Sequence, residues 1–378
     1  MSRGGSAGPV SLPGALFGIA ARRALMDYVR MTGLILFILL ITAWTIDLAQ
    51  NFPRIRTDAT RREVSVVSIV FPYLGYRAVD IITRMLPMAC FFGVFAAEIM
   101  RRFRLETVIL KAAGASPLRL LGAVLLFAIV TGALQTRLEQ SWRPAAIQAQ
   151  VALGHGSYAR RFRQDWRLTN DWLVSGDTAV RARLRRDTPP AMRDVLIFTG
   201  INAPELKTIY AAERVVPGDT PYEWRLQKGS KWQATDGAET SESFDELTLT
   251  LDLIPEQISF VAVPAFYIPS EPLRAIATMR NAPTAAAADV AIWRRLTAWT
   301  LPGTFALLAF LLVSFGFSGR TANYPRLIAL AFLGYVSVVS VKVFWALGEL
   351  GAVAAPMSVL ATVGAVWGLS AILLYRQS

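Results

Sequence analysis

From Met31 to Leu48 the chain reads MTGLILFILLITAWTIDL, with a single charge, Asp47, near the far end. About 20 such residues carry a helix across the hydrocarbon core of a bilayer, where every backbone N–H and C=O must be satisfied inside the segment. Five further runs share this character. The second begins near Ser68: Ser68–Arg84 is amphipathic, whereas Met85–Ile99 is almost purely apolar and contains Pro87. The third is Leu118–Thr136, and the last block holds Leu296–Phe317, Leu327–Leu347 and Ala354–Leu374. Only 17% of the 378 residues are charged, against about 25% in soluble domains. The expectation is an α-helical membrane protein with six transmembrane helices in a 3+3 order.

Arg22, Arg23 and Arg30 precede the first run. Arg101, Arg102, Arg104, Lys111 and Arg119 lie between the second and third, Arg320 and Arg326 between the fourth and fifth, and Arg376 follows the sixth. The turn Gly348–Val353 has no Lys or Arg. By the positive-inside rule both termini are expected in the cytoplasm, and the long insert outside. The net charge of +12 suits such loops and anionic membrane lipids, and no nucleic-acid motif is present. No cleavable signal peptide is evident.

The insert, 137–290, separates an N-terminal membrane half, 1–136, from a C-terminal half, 291–378. It alternates in short segments, most clearly Leu247-Thr-Leu249-Thr-Leu251-Asp-Leu253, where every second side chain is Leu. Pro189-Pro190, Pro217-Gly218-Asp219, Lys228-Gly229-Ser230 and Asp236-Gly237 are turn signals. Short strands between such turns predict an antiparallel sandwich or jelly roll. Arg280–Asp289 reads as a linker back to the membrane.

The chain has no phosphate-binding loop, zinc-protease motif or nucleophile elbow, so ATP hydrolysis is not expected of it. One Cys, Cys90, and one His, His155, argue against a disulfide, zinc or haem. No cofactor is expected in this chain. Paired membrane carboxylates of a proton-coupled carrier are missing.

The connector 101–117 carries Leu105, Val108, Ile109 and Ala112 on one helical face, with Glu106 outside the stripe. Such a helix docks in a partner's groove or lies on the inner leaflet, held by its arginines. Arg77, Asp80 and Arg84 share a face of the second helix; they form an interfacial ladder or hold the phosphates of a lipid. Lys342, in the fifth run, snorkels outward or faces a cavity. The arginines 160, 161, 163, 167, 181, 183, 185 and 186 form a track for anionic sugars or a charged edge strand.

Several motifs occur together: Leu86-Pro87-Met88-Ala89, then Glu106 through Ala112-Ala113-Gly114-Ala-Ser116, then Trp293-Arg294-Arg295, Arg320, Leu347-Gly348-Glu-Leu350-Gly351 and Pro356. With the 3+3 layout and a β insert containing Trp224 and Trp232, the chain resembles the LptF/LptG family of lipopolysaccharide-export ABC transporter permeases. The resemblance implies a second such permease, a dimeric cytoplasmic ATPase that binds the ATP, and a periplasmic bridge protein. It makes 101–117 the coupling helix, with Glu106, Leu105, Ile109, Ala113 and Gly114 docking on the ATPase. Lipopolysaccharide would enter between the first and fifth spans and rise into the periplasmic jelly roll. Candidate contacts to it are Arg54, Arg56, Arg77, Arg84 and Lys342. Where the family often has a lysine before the aspartate matching Asp47, this chain has Ala43-Trp44-Thr45; Arg54 and Arg56 are the nearest basic residues, beyond the expected helix end. Two rival readings are a non-transporting scaffold or signalling protein with a β binding domain, and a lipoprotein-releasing type of ABC permease. The latter places its insert after the first span.

Overall fold

The computed structural model describes residues 18–112, 121–156, 158–159, 170–185, 190–203, 208–235, 238–261, 263–278, 283–318 and 321–375. Two compact units divide the chain: Met1–Ala146 with Trp293–Leu347 and Pro356–Ser378, and Ile147–Ile292 with Gly348–Ala355.

The first unit is helical. Helix α1 spans Ile19–Arg61 and α2 Val66–Phe103; the short α3, Glu106–Ala112, follows. Helix α4, Leu121–Arg137, passes through a π turn, Leu138–Trp142, into α5, Arg143–Leu153. Among the described residues, five helices are long and apolar enough to cross a membrane, and a bent pair makes a sixth candidate. The apolar stretch of α2 is 61% buried, whereas that of α1 is 11% buried, so α2 is a central post and α1 presents most of its surface outward. Leu86, Phe91, Val94 and Phe95 of α2 join Val124 and Phe127 of α4 in one apolar core.

Three helix boundaries differ from the expected ones. Helix α1 does not end near Leu48 but continues to Arg61, so Arg54 and Arg56 lie within it, both exposed. The third helix runs past Arg137 because the charges that follow are satisfied internally, as described below. The fourth candidate is a bent pair: the residues Thr284–Thr297 and Thr300–Phe315 meet at 61°. A Cβ at Gly132 of α4 would strike the carbonyl oxygen of Trp299, so the bare glycine lets α4 reach this bend.

The second unit holds six antiparallel strands: β1 Asn170–Ser175, β2 Thr178–Arg185, β3 Ala191–Thr199, β4 Thr208–Pro217, β5 Glu223–Thr235 and β6 Ala238–Thr250. The insert is antiparallel, as the alternation requires. Its described strands pair in sequence order, β1 to β6, as a meander, where a jelly roll would exchange strands between two sheets. One face buries Val180, Met192, Val195, Ile197, Val215, Trp224 and Leu226, covered by Leu251, Leu253 and Ile258 beyond β6. Trp224 is fully buried and donates Nε1–H to the Leu253 carbonyl at 2.9 Å. Thus the leucine alternation outlives the strand and folds back over its own sheet.

Strand β2 lies between β1 and β3, which corrects the edge-strand reading of Arg181 and Arg183. Their neighbours Val180 and Ala182 fill the core face, leaving the two arginines on the other face, where Arg183 pairs with Asp194 at 3.0 Å. The arginines 160, 161, 163, 167 and 186 lie outside the described residues.

Helix α6, Pro255–Ser259, and α7, Ser270–Ala277, follow the sheet. A second core of this unit gathers Ile147, Tyr158, Tyr267, Leu273, Ile276 and Ala291, with the Tyr158 and Tyr267 hydroxyls 2.7 Å apart. Helix α8, Pro283–Thr297, leads to α9, Thr300–Phe315; the hairpin of β7, Phe317–Ser318, and β8, Thr321–Ala322, then precedes α10, Tyr324–Glu349, and α11, Ala355–Tyr375.

Candidate functional site

Helices α1 and α2 are antiparallel, and buried charge joins them at two levels. On α1 these levels, Tyr28 and Asp47, are about 28 Å apart at the helical rise.

The first level adjoins α3. The Tyr28 hydroxyl donates to Glu98 Oε1 at 2.5 Å, and Arg101 Nη1 donates to the same oxygen at 2.8 Å. Arg101 Nε reaches Glu106 Oε2 at 3.3 Å, and Arg23 Nη2 lies 3.1 Å from Glu106 Oε1. Glu98 and Arg101 are 3% and 2% exposed. Arg102, half-buried over the Phe317 ring, also has Glu98 as an electrostatic neighbour; the Glu98–Arg101 pair is dry and the Glu106–Arg23 pair half-wet. Between α2 and α3 the chain turns through Leu105, whose φ of 58° is left-handed, a conformation costing a non-glycine residue about 1–2 kcal/mol. Its carbonyl accepts the Ile109 N–H at 3.0 Å, opening α3.

On α3, Leu110 packs against the helical core, while Leu105, Ile109 and Ala112 are exposed. Ile109 is 64% exposed. Of the expected stripe, Ile109 and Ala112 on α3 and Leu105 at the elbow before it thus face outward. Ala113 and Gly114 lie outside the described residues, as does the rest of the connector up to Leu120.

The second level centres on Asp80 of α2, which is 1% exposed. It accepts from Arg77 Nη1 at 3.0 Å, Arg84 Nε at 3.1 Å and Arg143 Nε at 2.9 Å. Arg77 also donates Nε–H to Asp47 Oδ1 at 3.1 Å, and Tyr73 donates its hydroxyl to Asp47 Oδ2. Arg143 Nη1 reaches Glu139 Oε2 at 3.1 Å. Glu139 lies in the π turn and Arg143 opens α5 directly after it; the extra residue of the turn accompanies the inward placing of both. Such insertion lets the third helix continue past what reads, in sequence, as its polar end.

Asp47, Asp80 and Glu139 balance Arg77, Arg84 and Arg143, but further cations stand close. Arg295, 6% exposed, has Glu139, Arg143 and Arg294 as its electrostatic neighbours. Lys342, on α10, has Arg84 and Arg294. The Arg294 guanidinium sits over the Trp345 ring at 3.9 Å. Part of this positive charge is accessible: the Arg84 side chain is 38% exposed, and Lys342 is exposed.

The sequence pattern of the lipopolysaccharide export system permease family LptF/LptG matches residues 27–376, nearly the whole chain. The chain belongs to that family. The comparison with curated proteins finds no match. Apart from Arg23, both charged levels fall inside the matched region, as do the six candidate spans apart from the first residues of α1.

Among the LptF/LptG features expected from sequence, the structure brings Arg77, Arg84 and Lys342 to one level and leaves Arg54 and Arg56 exposed further along α1. The ladder Arg77–Asp80–Arg84 forms as its spacing requires. Sequence reasoning missed Arg143 and Glu139 and the whole Tyr28–Glu98–Arg101 set. The available signal was charge at i, i+3 or i, i+4 in helices otherwise built for burial: Glu98 with Arg101, Glu139 with Arg143.

Proposed function

We propose that this permease extracts lipopolysaccharide from the inner membrane and passes it through its β domain to a periplasmic bridge protein. It does so paired with a second LptF/LptG-type permease and driven by a dimeric cytoplasmic ATPase. Helix α3 is the docking helix, and both termini are cytoplasmic. The observation that carries the reading is α3 itself: a short helix between two long spans, with Leu105, Ile109 and Ala112 exposed and Glu106 beside them. An outward apolar stripe on so short a helix suits a groove on a soluble partner. The match to an export-system permease family supports reading that partner as another component of the export system.

At the second level, Arg84 and Lys342 contact the anionic phosphates of lipid A. Arg77 is held on both sides by Asp47 and Asp80, so it braces the site, and a phosphate would have to displace a carboxylate to reach it. Arg54 and Arg56, exposed on α1, meet phosphates at the membrane surface. Hydrolysis of ATP belongs to the partner; this chain supplies the cavity and the docking helix.

The test is co-purification. The chain, expressed with its sister permease and ATPase, should elute as one complex whose ATPase activity rises when lipopolysaccharide is added. Isolation of the chain without an ATPase, under conditions where it binds another membrane partner, would overturn the transporter reading in favour of a scaffold.

A further inference from the structure

The docking helix is not a loose tag on the end of α2. Three attachments hold it: the left-handed elbow at Leu105, the Leu110 side chain in the helical core, and the Arg101–Glu106 pair spanning the elbow. Arg101 divides its donors, giving Nε to Glu106 on α3 and Nη1 to Glu98 on α2. Glu98 in turn accepts the Tyr28 hydroxyl of α1. A continuous chain of charged contacts therefore runs from the exposed docking helix to α1, the outermost of the long helices.

We infer that Arg101, Glu98 and Tyr28 form a coupling relay that ties the position of the docking helix to the position of α1. This rests on the docking reading of α3 proposed above, and concerns how force leaves that helix. The physical argument has two parts. Buried charges separate only at high cost, so Glu98 and Arg101 move together, and with them α3 and α2. Next, Tyr28 has one polar atom, aimed at Glu98 from a fully buried ring, so α1 follows the same carboxylate. When a partner's cation takes hold of Glu106, Arg101 stays anchored through Glu98. Arg23, whose side chain is 63% exposed, is the contact that a partner's cation displaces. These are positioning residues: none of them is assigned contact with lipid or nucleotide.

Apolar packing alone could also hold α1 against α2, and the experiment separates the two. The full complex, with sister permease and ATPase, is reconstituted in vesicles containing lipopolysaccharide. Basal ATPase and lipid extracted per ATP are measured separately. Tyr28→Phe deletes one oxygen and keeps the ring; Glu98→Gln keeps the shape and removes the charge. Both are expected to assemble with wild-type basal ATPase, while extraction per ATP falls roughly tenfold, the worth of one hydrogen bond to a charged group. Arg101→Lys should not rescue, because one ammonium cannot span both carboxylates as the guanidinium does. Wild-type extraction per ATP in Tyr28→Phe overturns the relay, even if Glu98→Gln fails to fold. Equal loss of basal ATPase and extraction also overturns it, since that marks mere structural damage. A wild-type chain that assembles with no ATPase overturns the docking reading itself, and the relay with it.

Discussion

The two charged levels of the helical unit are built from the same residue types to opposite ends. Beside α3, Glu98 and Glu106 share Arg101, with Arg23 on Glu106, Arg102 close to Glu98, and the Glu98–Arg101 pair dry. Around Asp80, one carboxylate serves three guanidiniums, and Arg294, Arg295 and Lys342 add charge nearby. A dry pair transmits position, because pulling either member exposes an uncompensated buried charge. Accessible cations are where the proposed function puts an anion. Under that reading exposure, rather than residue type, distinguishes the brace from the receptor.

The sharpest way to break the contrast is Asp80→Ala. It takes one carboxylate away from three arginines, one of which, Arg143, is deeply buried, and should cost about 3–5 kcal/mol. A large drop in the thermal unfolding midpoint in detergent is the measurement; an unchanged midpoint would mean that the network is wetter than its burial implies. Glu98→Ala should cost less, about 1.5–3 kcal/mol, because Arg101 keeps Glu106. A larger loss than for Asp80→Ala would invert the comparison. Next comes Ile109→Asp, at an exposed site: stability should move by less than about 0.5 kcal/mol, while ATPase co-purifying with the chain falls sharply. Full retention of ATPase would remove α3 from the interface. The smallest structural effect belongs to Arg84→Ala, whose side chain is more than a third exposed. Its unfolding midpoint should stay near wild type while lipopolysaccharide-stimulated ATPase declines. Wild-type stimulation would restrict Arg84 to the ladder.

Much of the fold is legible in the chain. Met31–Leu48 marks α1, Leu327–Leu347 marks α10, and Leu247–Leu253 marks a strand with one buried face. Hydropathy and alternation are local, and a short window holds all the information. The bend at Trp299 escapes because it depends on how close α4 approaches at Gly132. Of the candidate site, Glu106 and the stripe with Ile109 could be placed from helical period alone. The partners of Asp80 could not: Arg143 lies 63 residues away, in a stretch that reads as polar insert. The interior position of β2 is likewise a matter of strand pairing, invisible in its own alternation.

The amino-acid order by itself determined that this chain crosses a membrane, interrupts its helices with a β insert, and carries an amphipathic helix between two spans. Those properties follow from the free energy of each segment in water or lipid, a sum over neighbours in the chain. Only the tertiary structure decided which charges neutralise one another and which remain to meet a ligand. A buried charge is stable or costly according to what stands within a few ångströms of it, and in Asp80 and Glu98 those neighbours come from other helices.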